Sequence, residues 1–197
     1  MKLSSLILTS TVLLAGLSQA QTQTVRGEVE DVQGTANQFF LKCTNIPVIS
    51  STVNLQALQA QNVQAILDVI NVGTPGNPIL DLQSYTVTTK VMDMGNLRIG
   101  RSERWQVNAP AGSLAFVFVD FTGNTGYTPF GQIGTWLLGP GASTIRSGVT
   151  NGVGQFEFSF TMPNVQGLVG TSFTSQALVG TNGTFSLTNP DCKEVRN

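Results

Sequence analysis

Val153-Gly-Gln-Phe-Glu-Phe-Ser-Phe-Thr-Met-Pro163, then Gly170-Thr-Ser-Phe-Thr-Ser-Gln-Ala-Leu-Val179 and Phe185-Ser-Leu-Thr-Asn189, is the stretch from which the fold class can be read. Phe156, Phe158, Phe160 and Met162 alternate with Gln155, Glu157, Ser159 and Thr161. That period of two belongs to a strand with one face buried and the other solvated, not to a helix. Pro163 cannot donate to a ladder and should end the strand. Between the two later runs lies Gly180-Thr-Asn-Gly183, whose Asn182-Gly183 pair supplies the positive φ angles of a tight hairpin turn. Three strands with an apolar face need a second sheet to cover it, and the rest of the chain should provide one.

Residues 1–20 carry Lys2, an apolar run through Leu6-Ile-Leu8 and Val12 to Leu17, and the small residues Ser18 and Ala20 before Gln21. This is the pattern of a secretory signal peptide cleaved after Ala20. The run is short and interrupted by Thr and Ser at positions 9 to 11, which argues against a transmembrane anchor, and no other segment is apolar for long enough to span a bilayer. Position 21 is Gln, so lipid attachment at a new N-terminal cysteine is not indicated.

Only 11% of residues are charged, against roughly 25% in ordinary globular chains. The formal net charge of -1 falls to about -2 once Lys2 is removed, which gives no electrostatic case for nucleic acid or an anionic membrane. Histidine is absent, which excludes Ser-His-Asp and Cys-His catalysis and His-ligated metal sites. Cys43 and Cys192 are the two cysteines; in an exported chain they are expected to form a disulfide, the alternative being two free thiols.

Read in order, Thr24 to Gln33 alternates imperfectly around Val25, Val29 and Val32, with Gly27 fitting a bulge. A turn at 34–37 leads into Gln38-Phe-Phe-Leu-Lys-Cys43, Pro47 interrupts, and Val48-Ile49 make a short third strand. Leu55 and Leu58, spaced i, i+3 within Asn54-Leu-Gln-Ala-Leu-Gln-Ala60, suit one or two helical turns. Long strands at 63–72 and 79–89 follow. The order strand, strand, short strand, helical turn, strand, strand resembles the OB-fold, a five-stranded partly open barrel, and sets a first domain at 21–90. Phe39, Phe40 and Tyr85, with Arg26, Lys42 and Lys90, are the aromatic and basic groups that such a barrel would offer a ligand; core packing explains the adjacent phenylalanines at least as well.

Residues 91–96 read as a junction, and a second domain at 91–189 as an antiparallel β-sandwich. Its strands are 97–107, the doubly apolar 114–121, 133–138, 142–146 and the stretches quoted above, with 122–131 a surface loop and 190–197 a C-terminal tail. Met162-Pro163, Gly167-Leu168-Val-Gly170, Ser175-Gln176-Ala177 and Leu187-Thr-Asn189 resemble a C-terminal β-sandwich module of uncharacterised secreted and cell-surface bacterial proteins. The resemblance spans the last hundred residues. It implies an exported all-β protein and carries no catalytic residues.

Arg98, Arg101, Arg104 and Trp105, with Glu103, form the densest charge cluster and are the candidate ligand face. Alternation places Arg98 and Arg104 on one side of a strand and Arg101 on the other, as on a charge-protected edge. Trp105 and Trp136 are sugar-stacking candidates or core residues. Glu28 and Glu30 share a face without the cleft a glycosidase pair needs, and no Asp-x-Asp-x-Asp calcium loop occurs. Asn182-Gly-Thr184 is formally a glycosylation sequon, better explained by the hairpin turn. No cofactor, metal or catalytic residue is expected. The sequence points to a secreted, periplasmic or cell-surface β-protein, non-enzymatic, whose partner is an envelope or extracellular protein. A carbohydrate or small polar ligand is the alternative.

Overall fold

The computed structural model describes residues 21–31, 38–74, 76–89 and 91–197; the expected signal peptide, Val32, Lys90 and the turn at 34–37 lie outside them. The described chain is all-β with one α-helix. Its first part comprises β1 (Thr22–Gly27), β2 (Val29–Asp31), β3 (Phe39–Leu41), β4 (Pro47–Ile49), α1 (Leu55–Gln61), β5 (Ala65–Asn71) and β6 (Leu80–Val87). The strands pair in the order β1-β5-β6-β4-β3-β2. All pairings are antiparallel except β4 with β6. Only Glu28 separates β1 from β2, so the sheet begins and ends on two segments of one bent run of chain. The bend falls at Gly27, where a Cβ would stand 2.6 Å from Leu41 Cδ1.

Alternation does the packing here. Val25, Val29, Leu41, Val48, Leu67, Val69, Leu80 and Leu82 are buried, and α1 adds Leu55 and Leu58 from the i, i+3 face. Asn54 caps this helix, its Oδ1 accepting from Ala57 N at 3.0 Å. Asn62 ends it in the left-handed region, with φ of 50°. Pro47 opens β4 rather than interrupting the chain ahead of it, a position where a missing N–H costs nothing in the ladder.

The second part comprises β7 (Val91–Asp93), β8 (Leu97–Arg98), β9 (Ser102–Asn108), β10 (Leu114–Asp120), β11 (Thr125–Pro129), β12 (Thr135–Leu138), β13 (Ser143–Val149), β14 (Gln155–Thr161), β15 (Ser172–Thr181), β16 (Thr184–Leu187) and β17 (Asp191–Arg196). One sheet runs β13-β10-β15-β17-β8, with β16 also on β15; a second runs β14-β9-β7; β11 and β12 form a hairpin of their own. Trp105, Val107, Ala115, Val117, Val119, Ala177, Val179 and Val195 fill the space between the first two sheets. Asn182 and Gly183, with φ of 50° and 79°, make the β15–β16 turn as the sequence predicts.

Four expectations are corrected. Residues 91–96 are not an exposed junction: β7 pairs with β9, and Met92 and Met94 are core residues at 1% and 0% exposure. The tail at 190–197 is β17, paired antiparallel with β15 and parallel with β8, with Val195 fully buried. The expected surface loop at 122–131 contains β11. The single strand at 97–107 is two, broken at a turn where Arg101 N bonds Arg98 O at 3.1 Å and Gly100 has φ of 66°. β7 and β17 have one buried position each and β11 none, too few periods to be seen, and the break in 97–107 comes from the left-handed turn at Gly100.

The β11–β12 hairpin joins the two parts. Leu137 is buried in the first core although it lies far beyond residue 90. Thr135 Oγ1 donates to Thr24 O at 2.9 Å, and Tyr127 Oη bonds Gln23 Oε1. The disulfide Cys43–Cys192 forms a second tie, from the turn after β3 to β17.

Candidate functional site

The sequence-derived cluster divides. Trp105 is 0% exposed and packs against Phe158 and Phe160, with ring centroids 5.8 and 4.8 Å away, so it is a core residue and not part of a ligand face. Arg98 pairs with Glu103 at 3.0 Å, Arg104 pairs with Glu157, and Arg101 sits exposed in the turn between β8 and β9. These exposed pairs contribute little to stability, and the concavity that Arg98 lines with Lys193 and Arg196 includes neither Arg101 nor Arg104. Phe39 is buried in the first core, and Glu28 is engaged by Lys42 at 2.8 Å.

A different surface stands out, on the outer face of the β10–β15–β16 layer beneath the β11–β12 hairpin. Phe118 on β10, Leu178 on β15, Phe185 and Leu187 on β16, Trp136 on β12, Thr128 on β11, and Phe130 and Ile133 beside it line a groove of about 500 Å³. Phe118 meets Trp136 edge-on at 5.0 Å. Phe130 and Phe185 stay 52% and 45% exposed on its rim. Phe185 can lie across β15 because residue 180 is Gly: a Cβ there would meet its ring at 2.8 Å. Thr128 is the single polar residue of the lining. Exposed aromatics gathered in a concavity of this size mark interaction surfaces more often than scattered apolar residues do.

Buried polar residues hold the hairpin over that sheet, and they are the ones noted in the sequence for their resemblance. Gln176, fully buried, accepts from Leu137 N at 3.0 Å through Oε1 and donates through Nε2 to Thr135 O and Thr188 O, each at 3.0 Å. Thr188 Oγ1 accepts from Ala177 N at 2.9 Å, bridging β15 where its partner changes from β16 to β17. Asn189 holds β7: Met92 N donates to its Oδ1 at 2.8 Å, and its Nδ2 donates to Met92 O at 3.1 Å. The Gln-Ala and Thr-Asn runs are therefore internal fasteners. Their bonding partners lie up to 97 residues away, so the sequence offered no signal of this role.

Arg26 lies behind the same wall, 9% exposed, donating from Nη1 to Leu187 O at 2.8 Å and Ile133 O at 3.2 Å. Burial lowers its pKa from the usual arginine value. Burial also pushes the Tyr127 phenol up to about 12, and raises Asp191, where the Met94 N–H bond and Lys193 oppose the shift and Asp93 reinforces it. Glu30 is raised by burial against the pull of Lys42. Glu30 shares an open concavity with Glu194, Ser172 and Thr174 beside the Cys43–Cys192 disulfide, and among the described residues no cluster of three metal-ligating side chains occurs. No helix among them is long and apolar enough to cross a membrane. Comparison with known proteins gives no match among protein-family models, curated proteins or solved structures.

Proposed function

We propose that the chain is an exported, non-enzymatic interaction module that engages an envelope or extracellular protein partner through the apolar groove. The observation that carries this reading is the groove itself: aromatic side chains from separate elements converge there and remain partly open to solvent. Export is supported by the signal-like residues 1–20 and by the disulfide, which belongs to oxidising compartments. The closing of the first sheet on a bent strand, the parallel β4–β6 pair and α1 between β4 and β5 support reading 21–90 as an OB-like barrel. The two facing sheets support a β-sandwich for 91–189, with β17 added to it. The likeness to the secreted bacterial module rests on its sequence runs alone.

Carbohydrate binding is the second reading, favoured by Trp136 and Phe185 as stacking surfaces. The lining weighs against it, because sugar hydroxyls need several polar partners and the lining side chains supply only the Thr128 hydroxyl and the Trp136 indole N–H. Tryptophan fluorescence separates the two, since Trp105 is sealed in the core and Trp136 lines the groove. Apolar peptides or aromatic probes should shift the emission saturably, and Phe130→Ser with Phe185→Ser should abolish the shift. A saturable response to glycans alone would transfer the site to the second reading. Flat responses to both panels would remove the groove as a binding site. Export is checked by N-terminal sequencing of the protein from culture medium or periplasm, which should begin at Gln21.

A further inference from the structure

The edge strand β14 is distinct from the groove. It pairs only with β9, in a register that places Phe158 opposite Trp105 and Ser159 opposite Arg104. Two flanking bonds set the phase of that ladder: Ala109 N to Gly154 O at 2.9 Å and Met162 N to Arg101 O at 3.0 Å. Antiparallel pairs alternate between bonded and non-bonded positions, so the even-numbered residues of β14 bond β9. The N–H and C=O groups of Gln155, Glu157, Ser159 and Thr161 face away from it. Asn151 satisfies those of Gln155, its N donating to Gln155 O at 2.8 Å and its Oδ1 accepting from Gln155 N at 3.0 Å. Glu157, Ser159 and Thr161 therefore present an unpaired edge among the described residues.

This edge carries a single charged residue, Glu157, whose carboxylate is already paired with Arg104. It has no proline, lysine or bulge, whereas β13, the corresponding edge of the facing sheet, carries Arg146 and a register shift. The inward row Phe156, Phe158 and Phe160 is only half-buried, because no strand lies beyond β14 to wall it in.

We propose that β14 is a self-association edge, pairing antiparallel with β14 of a second copy about a two-fold axis at Ser159. The register follows from what the edge offers. An axis at Ser159 sets Ser159 against itself and Glu157 against Thr161, so all three free residues of both copies bond and Gln155 falls opposite Pro163. An axis at Glu157 opposes two carboxylates, which is destabilising. An axis at Phe158 sets Thr161 against the already satisfied Gln155. With Ser159 at the centre, each Glu157 lies four residues from its counterpart along the strand direction, roughly 14 Å, beyond the screening length at physiological salt. Phe158 then sits beside Phe160 of the second copy, whose row supplies the missing wall. The joined sheet has six strands and closes as a dimer, because the two-fold uses up both free edges.

Sedimentation and hydrogen exchange on the disulfide-bonded protein test this together. Molar mass should rise to that of two chains with concentration, and the Glu157, Ser159 and Thr161 amides should gain protection in parallel. Ser159→Lys opposes two ammonium groups at the axis and should keep the protein monomeric, with protection of the Phe158 and Phe160 amides unchanged to show that the added charge opposite Arg104 has not opened the β9 ladder. Thr144→Lys on β13 should leave the dimer intact. A protein that stays monomeric at every concentration overturns the proposal. So does a dimer in which those three amides stay unprotected, or one that Ser159→Lys and Thr144→Lys weaken equally.

Discussion

Replacing Gln176 by Leu should be among the most damaging near-isosteric changes available in this chain. The side chain makes three bonds at 3.0 Å and is fully buried, so no water can take its place without the packing opening. Leucine fills a similar volume and leaves Leu137 N–H, Thr135 C=O and Thr188 C=O without this partner. A buried donor left unpaired costs roughly 1–3 kcal/mol, and carbonyls, which keep a second lone pair, cost less. The sum is roughly 3–5 kcal/mol, a large share of the roughly 5–15 kcal/mol that stabilises a typical domain. Gln176→Glu should be worse still, because it keeps the acceptor for Leu137 N but loses both donors and buries a charge. Urea unfolding followed by tryptophan emission measures this as a fall in midpoint at unchanged slope. Trp136 emission should shift as the hairpin loosens over Phe118. A loss below about 1 kcal/mol for Gln176→Leu would refute the view that this residue fastens the hairpin to the sheet.

The Cys43–Cys192 bridge spans 149 residues, so Cys43→Ser with Cys192→Ser should cost about 5 kcal/mol in the chain-entropy account, read as a lowered urea midpoint and checked against the reduced wild type. Asp191 has a raised folded pKa, so its contribution to stability is greatest below the unfolded value near 3.8 and is lost as pH rises through the folded one. Asp191→Asn keeps an oxygen for Met94 N–H; thermal melts across the acid range should show a smaller fall with rising pH than in the wild type, and an unchanged profile would place the effect elsewhere. Asn54→Ala removes the cap of α1 and should cost about 1 kcal/mol by urea unfolding, with Asn54→Asp restoring most of it.

Local chemistry alone determined a good deal of this protein. The period of two in 155–161, the Asn182-Gly183 turn, the Leu55–Leu58 helical face and the weight of glycine and β-branched residues establish an all-β chain with one short helix, because each depends on neighbours within a few residues. The disulfide was legible from cysteine count and the signal-like N-terminus. What only the tertiary structure decided are the pairings between distant segments. Arg98, Arg101, Arg104 and Trp105 look like one cluster in the sequence, but the turn at Gly100 separates them and strand pleating sends Trp105 into the core. Residues 91–93 and 191–196 read as junction and tail because a short strand is defined by its partners, and those partners lie elsewhere in the chain. The groove depends on the same physics: Phe118, Phe130, Trp136 and Phe185 share no local period, and they meet because Gln176 and Arg26 anchor the segment that carries Phe130 and Trp136 across an otherwise bare sheet face.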